Sequence, residues 1–309
     1  MRRRGLRGMW RFIMNQIPKR RQQALGLGIG WRAPIALMIE RRREQRGDLG
    51  FIEVIAESID PNKAVPQAIA NLQSRGVRVV PHGITLSLGG AEPLDRARVK
   101  RLAAIAKHLN APIVSEHIAF VRAGGLEAGH LLPIARTRAS LDVLVDNVKI
   151  AQDLLPVPLA LENISALFDW PGAEMSEAEF LASVFDRTGA LMLLDLANVH
   201  ATAKNLGGDS VALLDALPLN RLAYVHVGGG EERDGIYHDT HAHAVPAEAF
   251  ALVEELASRA DVPGFMLERD EDFPSDNETN ADLDAIVAAV NRGARRRVER
   301  TEVSEEANT

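Results

Sequence analysis

Eight short apolar runs recur along the chain and predict eight β-strands. Segments with turn residues or helical spacing separate them, as expected where strands alternate with helices. Nearly every run ends in a side chain that can bind a metal ion or transfer a proton. The runs cover residues 25–31, 51–57, 78–82, 113–117, 159–163, 191–195, 224–226 and 264–268.

The segments between the runs favour amphipathic helices. In residues 61–76, Val65, Ile69 and Leu72 recur at three- and four-residue spacings, which places them on one helical face. Residues 92–110 and the stretch after Thr137 repeat this pattern. Ser176-Glu-Ala-Glu179 predicts a capping box at the start of a further helix. Alternating strands and helices predict a parallel sheet with right-handed crossovers.

The predicted fold class is α/β, a (β/α)8 TIM barrel forming a single domain. A closed barrel is favoured over an open doubly wound sheet because eight strand candidates carry polar ends, whereas an open sheet binds ligands at one switch point. The cluster Gly228-Gly-Gly230 lacks the GxGxxG spacing of a dinucleotide site. A split into two domains is the less favoured alternative.

The catalytic barrel is predicted over residues 24–291. Residues 1–23 carry eight cations and no acidic side chain. They are predicted to be a basic, poorly ordered extension, with a membrane-surface helix, a targeting helix or a contact for an acidic partner as the alternatives. Residues 292–309 are predicted to be a fraying last helix followed by a disordered tail.

Composition limits the chemistry. Among 309 residues there is no cysteine, which excludes disulfides, thiolate metal ligands and a cysteine nucleophile. The net charge of −6 gives no overall basic field, so no nucleic-acid partner is predicted. No apolar run has the length of a membrane span, and no secretory signal is evident. We therefore expect a cytoplasmic protein.

The polar strand ends predict one metal site, because all eight strand ends of such a barrel meet on one face. Several buried carboxylates together would repel one another unless cations neutralise them. Imidazole and carboxylate ligands without sulfur fit iron, manganese or zinc, and bridging carboxylates favour a multinuclear centre. The candidates are His82, Glu116, His117, Glu162, Asp195, His226, Asp239, His241 and Glu268, with His243, His238, His200, His108 and His130 as weaker ones.

An ordered set of motifs between about Gly26 and Asp270 resembles one family. They are His82-Gly-Ile-Thr-Leu-Ser-Leu-Gly-Gly90, Ser115-Glu-His117, Leu161-Glu-Asn163, Leu194-Asp-Leu-Ala-Asn198, Asp239-Thr-His241 and Leu267-Glu-Arg-Asp270. The set is similar to that of the multinuclear non-haem iron-dependent oxidative enzymes of the methanobactin-biosynthesis type, also grouped as UPF0276, within the xylose isomerase-like TIM barrels.

This resemblance implies a barrel that holds two or three iron ions (Fe2+/Fe3+) and uses O2 as co-substrate. It implies modification of a ribosomally synthesised precursor peptide, often at cysteine, with a partner protein presenting the peptide. Glu57 and Asp270 are candidates for a catalytic proton shuttle, or alternatively for ion pairs at the barrel rim. The implied metal ligands and their supports are His82, Glu116, His117, Glu162, Asn163, Asp195, Asn198, His226, Asp239, His241 and Glu268.

The chain also departs from the family pattern. Ile55, Leu206 and Gly230 stand where many relatives have histidine, and Ser58 where they have asparagine. Because histidines are lost at the edge of the site, these differences put the third metal and the family's usual substrate in question for this chain.

Two other functions compete with an oxidative enzyme. One is a xylose isomerase-like isomerase or phosphoesterase that uses divalent metals as Lewis acids. A phosphoesterase acting on DNA is disfavoured, because the loops after His117 and His226 offer only Arg122 and Arg233 as cations. The other is a non-catalytic peptide-binding or assembly protein, which would leave its buried carboxylates without cations.

Overall fold

Eight parallel strands close into a barrel in the computed structural model, which describes residues 24–306. The predicted extension at 1–23 lies outside the described residues. The barrel strands are β1 (Gly26–Gly30), β2 (Leu49–Ile55), β3 (Arg78–Gly83), β4 (Val114–His117), β7 (Leu159–Glu162), β8 (Leu191–Asp195), β9 (Leu222–Val227) and β12 (Gly264–Leu267). They neighbour one another in chain order, and β12 pairs with β1 to close the ring. The predicted single-domain TIM barrel is confirmed.

Nine helices are described in residues 24–306, and most of them connect successive barrel strands. They are α1 (Ala36–Arg46), α2 (Gln67–Ser74), α3 (Arg96–His108), α4 (Arg138–Leu154), α5 (Glu177–Thr188), α6 (Leu196–Leu206), α7 (Ser210–Ala216), α8 (Ala247–Ala257) and α9 (Asp276–Glu306). Three short 3-10 turns lie at Ala33–Ile35, Ala56–Ser58 and Leu219–Arg221. None of these helices is long and apolar enough to cross a membrane.

The barrel interior has an apolar layer with a polar layer above it. Successive side chains on a strand face opposite sides, so residues two apart share a face. Tyr224 lies in the apolar layer and His226 above it, and the other strands repeat this step. The pairs are Phe51 and Glu53, Val80 and His82, Ala160 and Glu162, Leu193 and Asp195, and Met266 and Glu268. The alternation therefore directs a ring of polar side chains into the upper barrel.

Two antiparallel hairpins follow the carboxyl ends of barrel strands. β5 (Phe120–Ala123) pairs with β6 (Leu126–Leu132) after β4, and β10 (Glu231–Arg233) pairs with β11 (Ile236–His238) after β9. The sequence prediction did not include them, because both are short and largely exposed. They extend the face of the barrel on which the polar layer opens.

The last helix extends into the segment that the sequence predicts as a fraying helix followed by a disordered tail. α9 continues past residue 292 and packs against α8. Arg292 Nε donates to Glu254 Oε2 at 2.6 Å, and an Arg296 amino group donates to Glu255 Oε1 at 2.8 Å. Gly293 allows the close approach, because a Cβ there would lie 2.3 Å from the Glu254 carbonyl oxygen. The sequence predicted a last helix in this segment but not its packing, since the acidic partners of the arginines lie some forty residues earlier.

Candidate metal centre

Nine metal-binding side chains converge at the carboxyl ends of the barrel strands. Four are imidazoles and five are carboxylates, and they form four overlapping groups whose ligand atoms lie within 4.8 Å of one another. The first group is His82, His117 and Glu162; the second is Glu162, Asp195, His226 and Glu268; the third is Asp195, Asp239 and His241; the fourth is His241, Glu268 and Asp270. Shared members make the four groups one continuous cluster.

The first two groups meet at Glu162. Its Oε2 atom lies 3.3 Å from His82 Nε2 and 3.4 Å from His117 Nε2. Its Oε1 atom lies 3.3 Å from His226 Nδ1. The two carboxylate oxygens therefore face different groups, which is the geometry of a carboxylate that can bridge two cations.

The second and third groups meet at Asp195. Its Oδ2 atom lies 3.8 Å from His226 Nδ1 and 3.4 Å from His241 Nε2. His241 Nε2 also lies 3.0 Å from Asp239 Oδ1. On its other side, His241 Nδ1 lies 3.4 Å from Glu268 Oε2 and 3.7 Å from Asp270 Oδ2, which completes the fourth group.

The cluster concentrates the unpaired polar atoms of the protein interior. Among the described residues, nine buried side-chain nitrogen or oxygen atoms lack a hydrogen-bond partner, and seven of them belong to this cluster. The seven are His117 Nδ1, Glu162 Oε2, Asp195 Oδ2, His226 Nδ1, Asp239 Oδ1, His241 Nε2 and Glu268 Oε2. Since an unpaired buried polar atom is costly, and a buried charge more so, bound cations fit this donor set. All the donors are nitrogen or oxygen, as iron, manganese and zinc accept.

Burial perturbs the ionisation of the cluster strongly. Desolvation raises the pKa of Glu162 to about 7, against the attraction of His117 and His226. Desolvation acts to lower the pKa of His117, but the charges of Glu162 and Glu116 outweigh it and raise that pKa to about 9. Burial lowers the pKa of His82 well below its usual value. Without cations the cluster would thus take up protons, which is how a desolvated group of like charges relieves its repulsion.

Asp270 lies at the solvent side of the cluster, with 37% of its side chain exposed. Arg32 forms an ion pair with its Oδ1 atom. Burial acts to raise the pKa of Asp270, but His241 and Arg32 outweigh it and hold that pKa well below the usual range. The sequence analysis predicted Asp270 as a proton shuttle or as part of an ion pair at the rim. In the structure it forms an ion pair at the rim and also belongs to a possible metal-ligand group.

Three of the predicted ligands support the cluster from outside the four groups. Glu116 accepts from the backbone amides of Leu86 at 3.0 Å and His117 at 2.9 Å. The amide of Asn163 accepts from Asp195 N at 2.9 Å and donates to Asp195 O at 3.1 Å. Asn198 Nδ2 donates to the carbonyl of Asn163 at 3.0 Å. These side chains fix the backbone that carries the ligands.

Glu57, the other predicted shuttle, is exposed and bound to a loop. Its Oε1 atom accepts from Ile84 N and Thr85 N, both at 3.0 Å, and from Thr85 Oγ1 at 2.8 Å. No described contact joins it to the four groups, and its partners are neutral groups of the loop after β3. Five weaker histidine candidates also lie outside the groups: His108, His130, His200, His238 and His243.

The sequence prediction missed three residues beneath the cluster, Glu53, Ser115 and Tyr224. Each is at most 1% exposed. Glu53 Oε2 lies 3.0 Å from His226 Nε2 and accepts from Tyr224 Oη at 2.5 Å. The strand alternation could have revealed Glu53, since it lies two residues after the inward-facing Phe51. The same alternation marks Ser115 and Tyr224 as inward-facing, two residues before His117 and His226, but does not show which partners their hydroxyl groups bind.

The family model described as RiPP precursor modification enzyme MbnB/TglH/ChrH matches residues 26–291. The chain belongs to this family. A UPF0276 protein of Streptomyces avermitilis is 51% identical over 269 residues, which are 85% of this chain and 54% of that protein. The chain thus spans about half the length of that relative. A UPF0276 protein of Caulobacter vibrioides is 32% identical over 271 residues, covering 87% of this chain and 96% of the relative.

A solved structure places this MbnB/TglH/ChrH family member in a broader fold class. The D-psicose 3-epimerase of Clostridium cellulolyticum H10, solved with D-tagatose, superposes with a TM-score of 0.57 and 12% sequence identity. The superposition covers 86% of this chain and 99% of the epimerase. At that identity the likeness concerns the fold alone, a TIM barrel. The resemblance seen in the sequence motifs is confirmed.

Proposed function

We propose that this protein is a multinuclear iron-dependent oxidative enzyme that uses O2 to modify a ribosomally synthesised peptide. The observation that carries the proposal is the buried cluster of four imidazoles and five carboxylates with seven unpaired atoms. Membership of a family of RiPP precursor modification enzymes supports a peptide substrate. The choice of iron rests on the resemblance of the motifs, since the donor set alone would also suit manganese or zinc.

The arrangement of the groups supports up to three metal positions. Glu162 would be a ligand in both the first and second positions, and Asp195 in both the second and third. The fourth group shares His241 with the third and Glu268 with the second, so Asp270 is an additional ligand for either of these positions. Ile55, Leu206 and Gly230, where many relatives have histidine, are not among these metal-ligand candidates, so the four groups are complete without them.

Bound iron would supply the redox chemistry toward O2 that the side chains lack. The protein contributes ligands held on rigid strand ends, with an apolar layer below that excludes water. Asp270 is the most exposed carboxylate of the cluster, and its Oδ2 atom faces His241 while Arg32 holds Oδ1. Because its pKa is held low, this carboxylate stays ionised at the rim, where it can accept a hydrogen bond from a bound peptide but is a weak proton acceptor. We infer a precursor peptide reaching the cluster from that side, presented by a partner protein in the cytoplasm.

The test is metal analysis of protein purified without O2, followed by Mössbauer spectroscopy before and after exposure to air. We expect two or more irons per chain and an oxidised spectrum after exposure. His82→Ala and Glu162→Ala should each lose iron, whereas His243→Ala, outside the four groups, should retain it. Zinc or manganese alone would favour hydrolytic or isomerase chemistry. A correctly folded protein without metal would favour a binding role and overturn the proposal.

A further inference from the structure

A chain of hydrogen bonds runs beneath the metal-binding cluster and joins two of its imidazoles. His82 Nδ1 lies 2.8 Å from Ser115 Oγ, and Ser115 Oγ lies 2.7 Å from Tyr224 Oη. Tyr224 Oη lies 2.5 Å from Glu53 Oε2, which lies 3.0 Å from His226 Nε2. All five residues are buried, and four of them are at most 1% exposed. These hydrogen bonds are therefore almost entirely shielded from bulk water.

The chemistry of these groups orients every proton in the chain. Tyr224 Oη donates to Glu53 Oε2, and this bond uses the single phenolic proton. The phenolic oxygen then accepts from the hydroxyl of Ser115. With its own proton used in this way, Ser115 Oγ is left as an acceptor for a proton on His82 Nδ1. At the other end, Glu53 Oε2 accepts a proton from His226 Nε2.

This proton order leaves one nitrogen of each imidazole without a proton, and in both rings it is the nitrogen that faces the cluster. His82 Nε2 lies 3.2 Å from His117 Nε2 and 3.3 Å from Glu162 Oε2, both in the first group. His226 Nδ1 faces Glu268 Oε2 at 2.7 Å, in the second group. An imidazole binds a metal through its unprotonated nitrogen, and the hydrogen bond at the other nitrogen determines which one that is.

We propose that Glu53, Tyr224 and Ser115 are positioning residues that fix the tautomers of His82 and His226 and so set the ligand atoms of two adjacent metal positions. One carboxylate serves both rings, directly for His226 and through two hydroxyl groups for His82. Hydrogen bonding at the remote nitrogen also makes the ligating nitrogen more basic. The inference rests on the metal centre of the proposed function, but not on its reaction with O2.

This path of hydrogen bonds predicts that single substitutions at Glu53, Ser115 and Tyr224 affect different imidazoles. Tyr224→Phe and Ser115→Ala interrupt the path to His82 and leave the contact between Glu53 and His226 in place. Glu53→Gln acts directly on His226. Matched controls exist for both hydroxyl deletions. Tyr237→Phe removes the phenol of the other tyrosine, which accepts from Gly230 N, and Ser258→Ala removes a buried hydroxyl that donates to Glu255 O.

The first readout is zinc affinity of the full chain, measured by competition with a chelator. We expect Tyr224→Phe and Ser115→Ala to weaken one zinc equivalent by about 10- to 100-fold, the usual effect of losing a hydrogen-bond partner behind a metal ligand. Tyr237→Phe and Ser258→Ala should bind zinc as the unmodified chain does. Equal affinities in all four variants would overturn the proposal, as would equal weakening of every zinc equivalent by Tyr224→Phe.

The second readout is the imidazole N–H resonances of the zinc-loaded full chain by proton–nitrogen NMR. We expect protected protons on His82 Nδ1 and His226 Nε2. Tyr224→Phe and Ser115→Ala should shift the His82 signal, Ser115→Ala should leave the His226 signal in place, and Glu53→Gln should shift it. Protons found on the opposite nitrogens would overturn the assignment. A protein that holds iron but does not react with O2 would contradict the proposed function. The role of Glu53, Tyr224 and Ser115 in positioning the two imidazoles would still be supported.

Discussion

At the residue scale, Glu162 and Asp195 connect the three proposed metal positions, because each lies in two of the first three ligand groups. Truncating either one removes a ligand from two positions at once, whereas loss of His82 or Asp239 affects only one. Both carboxylates end barrel strands, and strand alternation fixes their inward direction. Their residue type and direction could be predicted from the sequence. The partner faced by each oxygen depends on how five strands are staggered around the barrel.

Gly228 shows how a neighbouring residue limits the position of a ligand. A Cβ at this residue would lie 2.6 Å from His241 Cδ2. The backbone of His241 is itself in the left-handed region, with φ at 49°, which suits few non-glycine residues. Side chain and backbone of His241 thus both depend on close local packing, so the ring has little room to move.

We predict that Gly228→Ala displaces the His241 ring and weakens the third metal position. The expected loss is on the order of 10- to 100-fold in affinity for one metal equivalent, typical of lost support around a ligand. Metal content after dialysis against a weak chelator would measure it. Gly30→Ala is the matched control, because a Cβ there meets nothing closer than 3.5 Å. Full metal content in Gly228→Ala would show that the ring tolerates displacement.

At the element scale, the capping box at the start of α5 agrees with the prediction from the sequence. Ser176 Oγ accepts from Glu179 N at 3.3 Å, and Glu179 Oε2 accepts from Ser176 N at 2.8 Å. This signal could be read from the sequence because all its partners lie within four residues. The hairpins β5–β6 and β10–β11 were missed because their strands are short and their position depends on packing against the barrel.

We predict that Ser176→Ala lowers the free energy of unfolding by about 1 kcal/mol, the usual cost of losing a serine N-cap. Urea unfolding of the full chain would measure it. Ser183→Ala, in the same helix, is the control, because Ser183 only donates to the Glu179 carbonyl one turn earlier. A control variant as unstable as Ser176→Ala would point to a general effect of the helix sequence.

The capping contribution should also depend on pH. Hydrogen bonds from the Ser176 backbone and side chain lower the pKa of Glu179 below its usual 4.5. A lowered carboxyl pKa means that the stabilisation is present above the unfolded value and is lost as pH falls through the folded value. The stability difference between Glu179→Gln and the unmodified chain should therefore shrink as pH falls below about 4.5. A constant difference would contradict the role of the charge.

At the scale of the whole molecule, the cluster draws on six strand ends and the segment after β11. Cations that bind only this assembled arrangement would stabilise the folded barrel. Removing them would leave several buried carboxylates to repel one another or to take up protons. Metal binding and folding of the barrel should therefore be linked.

We predict that chelation lowers the melting temperature of the metal-loaded chain. A metal at one hundred times its dissociation constant stabilises the fold by about 2.7 kcal/mol, and removal reverses this. Thermal unfolding with and without chelator measures the shift. Glu162→Ala, which loses two ligand groups, should respond much less to the chelator. An unchanged melting temperature in the metal-loaded chain would mean that the cations do not bind the folded cluster.

The sequence by itself determined the barrel and the polar character of its upper layer, because strand alternation is a local property with a period of two residues. It also determined most of the donors, since each follows an inward apolar residue at that spacing. Tertiary structure alone decided which metal-ligand candidates share a group, which hydrogen bonds connect His82 to His226, and where α9 continues. These features depend on strand stagger, on the close approach at Gly228 and on partners far away in sequence, none of which has a local pattern.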